Sequence, residues 1–394
     1  MFMNLLDEVN KIEEYIIEMR RYFHMNPELS WKEFNTSNKI CDELDKMNID
    51  YKRVCKTGVI GIIEGNNKKP IIGIRADIDA LPVKEETNLE YKSLNEGVMH
   101  ACGHDAHIAM LLGAAKILNK YKNKLNCTVK LIFQPAEECI NDSGAKYLTT
   151  MDEIKDIDNI VAAHIWNYLD VGTISVEAGP RLSSADTFKI EIKGKGGHGA
   201  MPNQSIDPIV VSASIINNMQ TLVSREISPN EPCVLSICSI NSGSSFNIIP
   251  ESSILEGTTR TFSNKIRDSL PEKMERIISN TCKAFRAEYN FSYYQGTPPT
   301  INEENSSTVA EKSAKKILEE KGLVKYEPSM IGEDFAKLLE IIPGCLAFIG
   351  ARNEKEDKIY PHHNPKFDID ETAMKNGVAF FVQYVYDIQD ESWS

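Results

Sequence analysis

The stretch Met99-His100-Ala101-Cys102-Gly103-His104-Asp105-Ala106-His107 constrains this chain more than any other. It sets a thiol, three imidazoles and a carboxylate within nine positions. Side chains at i and i+2 of an extended backbone point to one side, so Cys102 and His104 can grip one metal ion together. Gly103 lets the chain bend close to that ion. Apolar residues at helical spacing follow at once: Ile108, Leu111, Leu112, Ala115 and Leu118. The cluster therefore belongs where a loop enters a helix.

Apolar runs around this stretch end in residues of matching chemistry. Ile71-Ile72-Gly73-Ile74 leads to Asp77 and Asp79. The run 128–133 leads to Gln134-Pro135-Ala136-Glu137-Glu138, and 160–163 leads to His164. Val59–Ile63 reads as another buried strand. The first fifty residues read as two helices, one carrying Leu5, Val9, Ile12, Tyr15 and Ile16, the other Phe34, Ile40, Leu44 and Met47. Strands alternating with helices predict an α/β sheet. Ligands of such sheets collect at the carboxyl ends of the strands.

The pattern changes near Ser183. Phe188, Ile190 and Ile192 alternate as in a half-exposed strand. A helix is expected from about 207 to 225, strands at 234–240 and 253–261, a helix from about 265 to 287, and a strand at 290–294. That order, β-α-β-β-α-β, is the ferredoxin-like unit. Helix and strand signals resume after Pro298-Pro299. The expected organisation is a discontinuous domain, 1–183 with 299–394, and an inserted domain, 184–298. An insertion is tolerated at an exposed loop, and 394 residues favour two cores over one.

The net charge of −13 argues against nucleic acid or an anionic membrane as partner. No apolar run is long enough to span a bilayer. The start, Met-Phe-Met-Asn-Leu-Leu-Asp-Glu, is acidic and unlike a signal peptide. Nine scattered cysteines with no CxxC pair suggest reduced thiols, hence a cytoplasmic location.

Cys102, His104, Glu138, His164 and one of His362 or His363 offer ligands for a hydrolytic metal centre. Hard carboxylates and imidazoles suit zinc or manganese, and a thiolate favours zinc-like softness. On an extended chain Glu137 and Glu138 point apart, so one can bind metal while the other moves protons. Asp77 and Asp79 share a face, and either can orient a ligand histidine. Two other classes compete. Cys102 among histidines is a candidate thiol nucleophile, although carboxylate-rich strand ends have no task in that scheme. A binding protein that keeps the fold without chemistry is the third.

Nine segments in order resemble the M20 metallopeptidase superfamily, and within it the amidohydrolase branch of N-acyl-amino-acid, hippurate and auxin-conjugate hydrolases. They are Arg75-Ala-Asp-Ile-Asp-Ala-Leu-Pro82, Met99-His-Ala-Cys-Gly-His-Asp105, Gln134-Pro-Ala-Glu-Glu138, Ala163-His164, Gly194-Lys-Gly-Gly-His-Gly-Ala-Met-Pro202, Asn247-Ile-Ile-Pro250, Gly257-Thr-Thr-Arg-Thr-Phe262, Gly332-Glu-Asp-Phe335 and His363-Asn-Pro-Lys-Phe367. The resemblance implies a zinc-peptidase-like α/β catalytic domain with an inserted α+β dimerisation (lid) domain. It implies two divalent metal ions, zinc or manganese first, with cobalt or nickel as further options. Cys102, His104, Glu138, His164 and His363 match the metal ligands, and Glu137 matches the general base. Asp79 matches the acidic residue behind the metals, with Asp77 its competitor. His198 matches a lid histidine that reaches the substrate carbonyl, from the partner subunit in family dimers. Asn247 and Arg260 match substrate-binding positions. The implied substrate is an N-acyl amino acid, and the implied assembly a homodimer or larger homo-oligomer. A carboxypeptidase or dipeptidase of the same superfamily is the alternative. Three departures stand out: Cys139-Ile-Asn-Asp-Ser-Gly144 replaces a glycine-rich run, Asn167 stands where proline is common, and the tandem His362-His363 leaves the last ligand open by one residue.

Overall fold

The computed structural model describes residues 5–318 and 320–391. These fall into two compact units, one within 1–181, 301–327 and 334–394, the other 182–300 with 328–333.

The first unit is built on a seven-stranded sheet. Its order is Asp50–Val54, Gly58–Glu64, Thr128–Gln134, Ile71–Asp77, Asn159–Asp170, Gly344–Arg352, Ile174–Ser175. The four strands from Thr128–Gln134 to Gly344–Arg352 run parallel. Ile71–Asp77 and Thr128–Gln134 are buried at every position, so apolar residues dominate both, broken in the interior only by Arg75 and Lys130, each paired with a carboxylate. Register decides what meets at their ends. Asp77 lies opposite Gln134, and Arg75 lies opposite Ala162, so Asp77 and His164 are level. The helix His104–Lys120 packs between the sheet and the helices Glu13–Met25 and Ala373–Ile388. Ile108, Leu111, Leu112 and Leu118 are fully buried, each contributing about 1.5–3 kcal/mol relative to exposure.

Two expectations needed correction here. The first helix is divided into Leu5–Asn10 and Glu13–Met25. Ile12 N–H donates to Val9 O, an i→i−3 bond that tightens the turn and breaks the helix. The run ending at Ala163 does not stop there. It continues to Asp170 because His164 and Trp166 pair with Phe348 and Gly350.

The second unit is a four-stranded antiparallel sheet ordered Cys233–Ser242, Ser252–Thr261, Ala185–Lys193, Glu288–Thr297. Helices Pro208–Thr221 and Asn264–Phe285 pack on it through Val211, Ile215, Met219, Leu270, Met274 and Ile278. This is the ferredoxin-like order. The first helix ends at Thr221, four residues short of expectation, and passes into a π-turn at Leu222–Glu226.

One buried cation orients the helix that begins at His104. Arg20 is fully buried and donates to Asp105 at 3.0 Å, Asp368 at 2.7 Å, Glu371 at 3.2 Å and the Tyr91 hydroxyl at 2.9 Å. Asp105 lies in the first turn of that helix. Removing Arg20 would strand these carboxylates without their shared partner. Arg20→Met should lower the unfolding free energy by about 3–5 kcal/mol in urea titrations. Arg21→Ala, which breaks a half-exposed pair with Glu371 and a contact with the Tyr91 ring, should cost less, about 1 kcal/mol.

Candidate metal centre

The centre lies at the carboxyl end of the parallel strands. Cys102 sits in a turn, and Gly103 adopts φ +87°, a conformation that excludes most side chains. His104 then opens the helix His104–Lys120. The Cys102 and His104 side chains are therefore brought together by a left-handed turn, not by the strand pleat expected from their spacing.

Donor atoms from four segments converge there. Cys102, His104 and His164 place their ligand atoms within 4.8 Å of one another; so do Cys102, Glu138 and His363, and so do His104, Glu137 and Glu138. Cys102 Sγ is 3.7 Å from His164 Nε2. Glu138 Oε1 is 4.0 Å from His104 Nε2 and 3.3 Å from His363 Nε2.

Hydrogen bonds decide which lone pairs face this centre. His104 Nδ1 donates to Asp79 O at 2.9 Å, and His164 Nδ1 donates to Ile165 O at 2.6 Å. In the neutral ring each bond leaves the Nε2 lone pair facing the cluster, the arrangement that metal-binding histidines need. His107 is held the other way. Ile165 N–H donates to its Nε2 at 2.8 Å, so Nδ1 carries the proton and donates to Asp77 at 2.6 Å. His107 thus lines the centre without offering it a lone pair. The tandem histidines divide similarly. Asn167 N–H donates to His362 Nε2 at 3.4 Å, so His362 turns an Nδ1–H toward Cys102 Sγ, 3.9 Å away. His363 adopts φ +65° and swings its ring to Glu138.

A cation fits this donor set. His104 Nε2 is buried without a hydrogen-bond partner, an arrangement that is costly unless a ligand satisfies it. The electrostatics agree. Burial would lower the His104 pKa, but Asp77, Asp79 and Cys102 raise it well above the ordinary value. Contacts with Cys102 and Glu138 push His363 up to about 10. The surroundings of both histidines favour positive charge.

Asp79 binds the two halves of the centre. Its carboxylate accepts the main-chain N–H of Glu137 at 3.0 Å and of Glu138 at 3.1 Å, and the Ser30 hydroxyl at 2.7 Å. Asp77 instead pairs with Arg75 at 2.8 Å and with His107. The loop after Glu138 returns tightly: a Cβ on Gly144 would lie 1.9 Å from Pro135 O. In place of glycines, the segment from Cys139 is pinned by Trp31 Nε1 donating to Asp142 O at 2.8 Å and Tyr147 donating to the Asp142 carboxylate at 2.6 Å.

His198, Asn247 and Arg260 belong to the second unit. Ala200 N–H donates to His198 Nδ1 at 3.0 Å, so its proton sits on the exposed Nε2. Gly199 N–H donates to Asn247 O, which sets Asn247 beside His198. Arg260 is not with them. It stands near the far end of Ser252–Thr261, about 26 Å of extended strand from the corner that holds Asn247.

Sequence reasoning missed Ser30, Glu33, Gln134, Asp334 and the tasks of Arg75 and Asn167. Arg75, Gln134 and Asp334 stood inside recognised segments; Ser30 and Glu33 carried no signal of their own.

Residues 73–387 match the model of peptidase family M20/M25/M40. The chain belongs to that family. It is a metal-dependent hydrolase of amide bonds, in the amidohydrolase branch. Thermostable carboxypeptidase 1 of Saccharolobus solfataricus is 39% identical over 375 residues, covering 95% of each chain. N-acetylcysteine deacetylase of Bacillus subtilis is 40% identical over 370 residues, 93% of this chain and 95% of the relative. Among solved structures, the YXEP protein of Bacillus subtilis, described as a dinuclear metal-binding peptidase of the M20 family, aligns with TM-score 0.85 and 35% identity over 97% of this chain and 99% of its own. The zinc-peptidase-like domain with an inserted lid is the architecture of this family.

Glu33 provides a test of how the loop that carries Glu137 is held. It is fully buried and accepts Ala136 N–H at 2.9 Å and the Thr57 hydroxyl at 2.8 Å. Burial and the charge of Asp79 push it up from 4.5 to about 7. The unfolded chain therefore releases this proton at lower pH than the folded one. Stability from this group is complete below about pH 4.5 and is lost as pH rises to about 7, an effect of about 3 kcal/mol. In chelator-treated protein, Glu33→Gln should remove that slope, so that its stability relative to wild type rises between pH 5 and pH 8 in denaturant titrations.

Proposed function

We propose that this chain hydrolyses the amide bond of N-acyl amino acids, with Glu137 as general base. One observation carries the reading: Cys102, His104, Glu138, His164 and His363, from four separate segments, meet around one sulfur with Glu137 alongside. Two of the donor groups share Cys102, an arrangement suited to a pair of cations. Zinc or manganese fits the donors best, with cobalt or nickel as further options. Divalent cations, when bound, supply Lewis acidity toward the scissile carbonyl and toward water.

The chain's own residues do the rest. Glu137 takes a proton from the attacking water and returns it to the leaving amine. Asp79 keeps Glu137 and Glu138 in place through their main-chain N–H groups and fixes the tautomer of His104. Arg260 holds the free carboxylate of the amino-acid half. His198 donates from Nε2 to the carbonyl oxygen as charge develops on it. The separation of His198 from Arg260 along the lid strand favours a homodimer or larger homo-oligomer, in which His198 serves a partner's site. The edge strand Cys233–Ser242, with Ile240 on it and Phe246 and Ile248 near it exposed, offers a surface for that partner. Reduced cysteines, unpaired throughout the described residues, suit a cytoplasmic enzyme. No helix among those residues is long and apolar enough to cross a membrane.

A carboxypeptidase activity is the second reading, favoured by the similarity to a thermostable carboxypeptidase. Both substrate classes present a free carboxylate beside the scissile amide, so Arg260 serves either. A thiol hydrolase fits poorly. Burial and Glu138 raise the Cys102 pKa, the wrong direction for a nucleophilic thiolate.

A release assay across N-acetyl, N-benzoyl, indole-acyl and N-succinyl amino acids and dipeptides, with zinc, manganese, cobalt and nickel in turn, tests the reading. Chelator should abolish turnover and added metal restore it, which also rejects the thiol route. Glu137→Gln should lower kcat about 10²–10⁴-fold with bound metal unchanged. Unaltered turnover would remove Glu137 from the reaction, and a metal-replete enzyme that cleaves no member of the panel would end the proposal.

A further inference from the structure

The segment Gly332-Glu333-Asp334-Phe335 has no task in the reaction above. Asp334 nonetheless occupies a built position. It is 1% exposed. Its Oδ1 accepts from Arg75 Nη2 at 2.8 Å and Gln134 Nε2 at 2.7 Å; its Oδ2 accepts from Gln134 Nε2 at 2.8 Å and Ala145 N–H at 3.1 Å. All these partners are donors, so the site suits an ionised carboxylate and not an amide. Gln134 and Ala145 are the two ends of the loop that carries Glu137. One side chain therefore grips both roots of that loop. The same residue also reaches the base, since Asp334 N–H donates to Glu137 Oε1 at 3.3 Å. Arg75 extends the grip to Asp77 at 2.8 Å, and Asp77 holds His107.

We propose that Asp334 is the positioning residue for Glu137, fixing the base-bearing loop at both roots and aiming the Glu137 carboxylate with its own main-chain N–H. The proposal rests on the reading of Glu137 as general base. Misplacing a reacting group by about 1 Å can cost 10²-fold in rate, so the effect should appear in kcat and not in substrate binding.

The test uses the metal-loaded full chain and the best substrate of the panel. Asp334→Asn sets an NH₂ group against the donors of Gln134 or Ala145. It should lower kcat at least 10-fold, with KM within about 2-fold and bound metal unchanged. Gln134→Glu combined with Asp334→Asn reverses the polarity of their contact and keeps an acceptor for Arg75. The double variant should recover most of the lost kcat, which a role in fold stability alone would not produce. Gln134→Leu leaves every charge in place and covers the case in which Asp334→Asn does not fold; it should lower kcat several-fold. Wild-type kcat in folded, metal-loaded Asp334→Asn or Gln134→Leu, or a loss confined to KM, would overturn the proposal. Glu137→Gln run in parallel separates the two claims. If it keeps turnover, the reading of Glu137 fails and the role of Asp334 falls with it. If it is inactive while Asp334→Asn turns over normally, only the role of Asp334 fails.

Discussion

The contacts of Asp79 hold the centre together. Its carbonyl accepts a hydrogen bond from His104 Nδ1 and its carboxylate accepts the N–H groups of Glu137 and Glu138. Burial works against its charge, yet His104, Ser30 and the N–H of Glu138 hold it below the ordinary carboxylate range. An ionised acceptor among fixed donors makes bonds roughly twice as strong as neutral ones. Through this one residue, the loop that starts the helix at His104 and the loop that carries the glutamates share a frame. A shift of either loop would break bonds to the other.

Buried charge is used in the same way elsewhere in this unit. Arg75 joins Asp77, Gln134 and Asp334; Arg20 joins Asp105, Asp368 and Glu371. Such networks add little net stability compared with a well-packed apolar core. Their value here is direction. Arg20 holds the first turn of the helix behind His104, and Arg75 holds the strand ends beneath the glutamates. Main-chain groups complete the arrangement by choosing tautomers: one N–H from Ile165 turns the His107 lone pair away from the centre, and one carbonyl from the same residue turns the lone pair of His164 toward it.

Much of this was legible in the residues alone. The parallel strands announced themselves as apolar runs because both faces are covered, and the lid announced itself by alternation because one face is open. Cys102, His104, Glu138 and His164 stood out because each follows such a run or opens a helix. Ser30 and Glu33 did not, since nothing in a Leu-Ser-Trp-Lys-Glu stretch signals that Ser30 meets Asp79, 49 residues on, or that Glu33 meets Ala136, 103 residues on. The Gly103 turn was misread as extended chain: a glycine licenses a left-handed conformation without announcing it. His164 looked like a strand terminus because periodicity shows where apolar character stops, not where pairing stops.

The sequence by itself determined which chemical groups were available, the alternation that builds one sheet and the order of elements that builds the other. Spacing along a chain says which residues share an element, and residue type says what each can bind. Only the tertiary structure decided the division of labour between like residues: Asp79 over Asp77 at the glutamate loop, His363 turned to Glu138 while His362 is taken up by Asn167, and Asp334 at both roots of that loop. Those outcomes depend on where a lone pair or an N–H points, and that direction is set by backbone groups that arrive from distant parts of the chain.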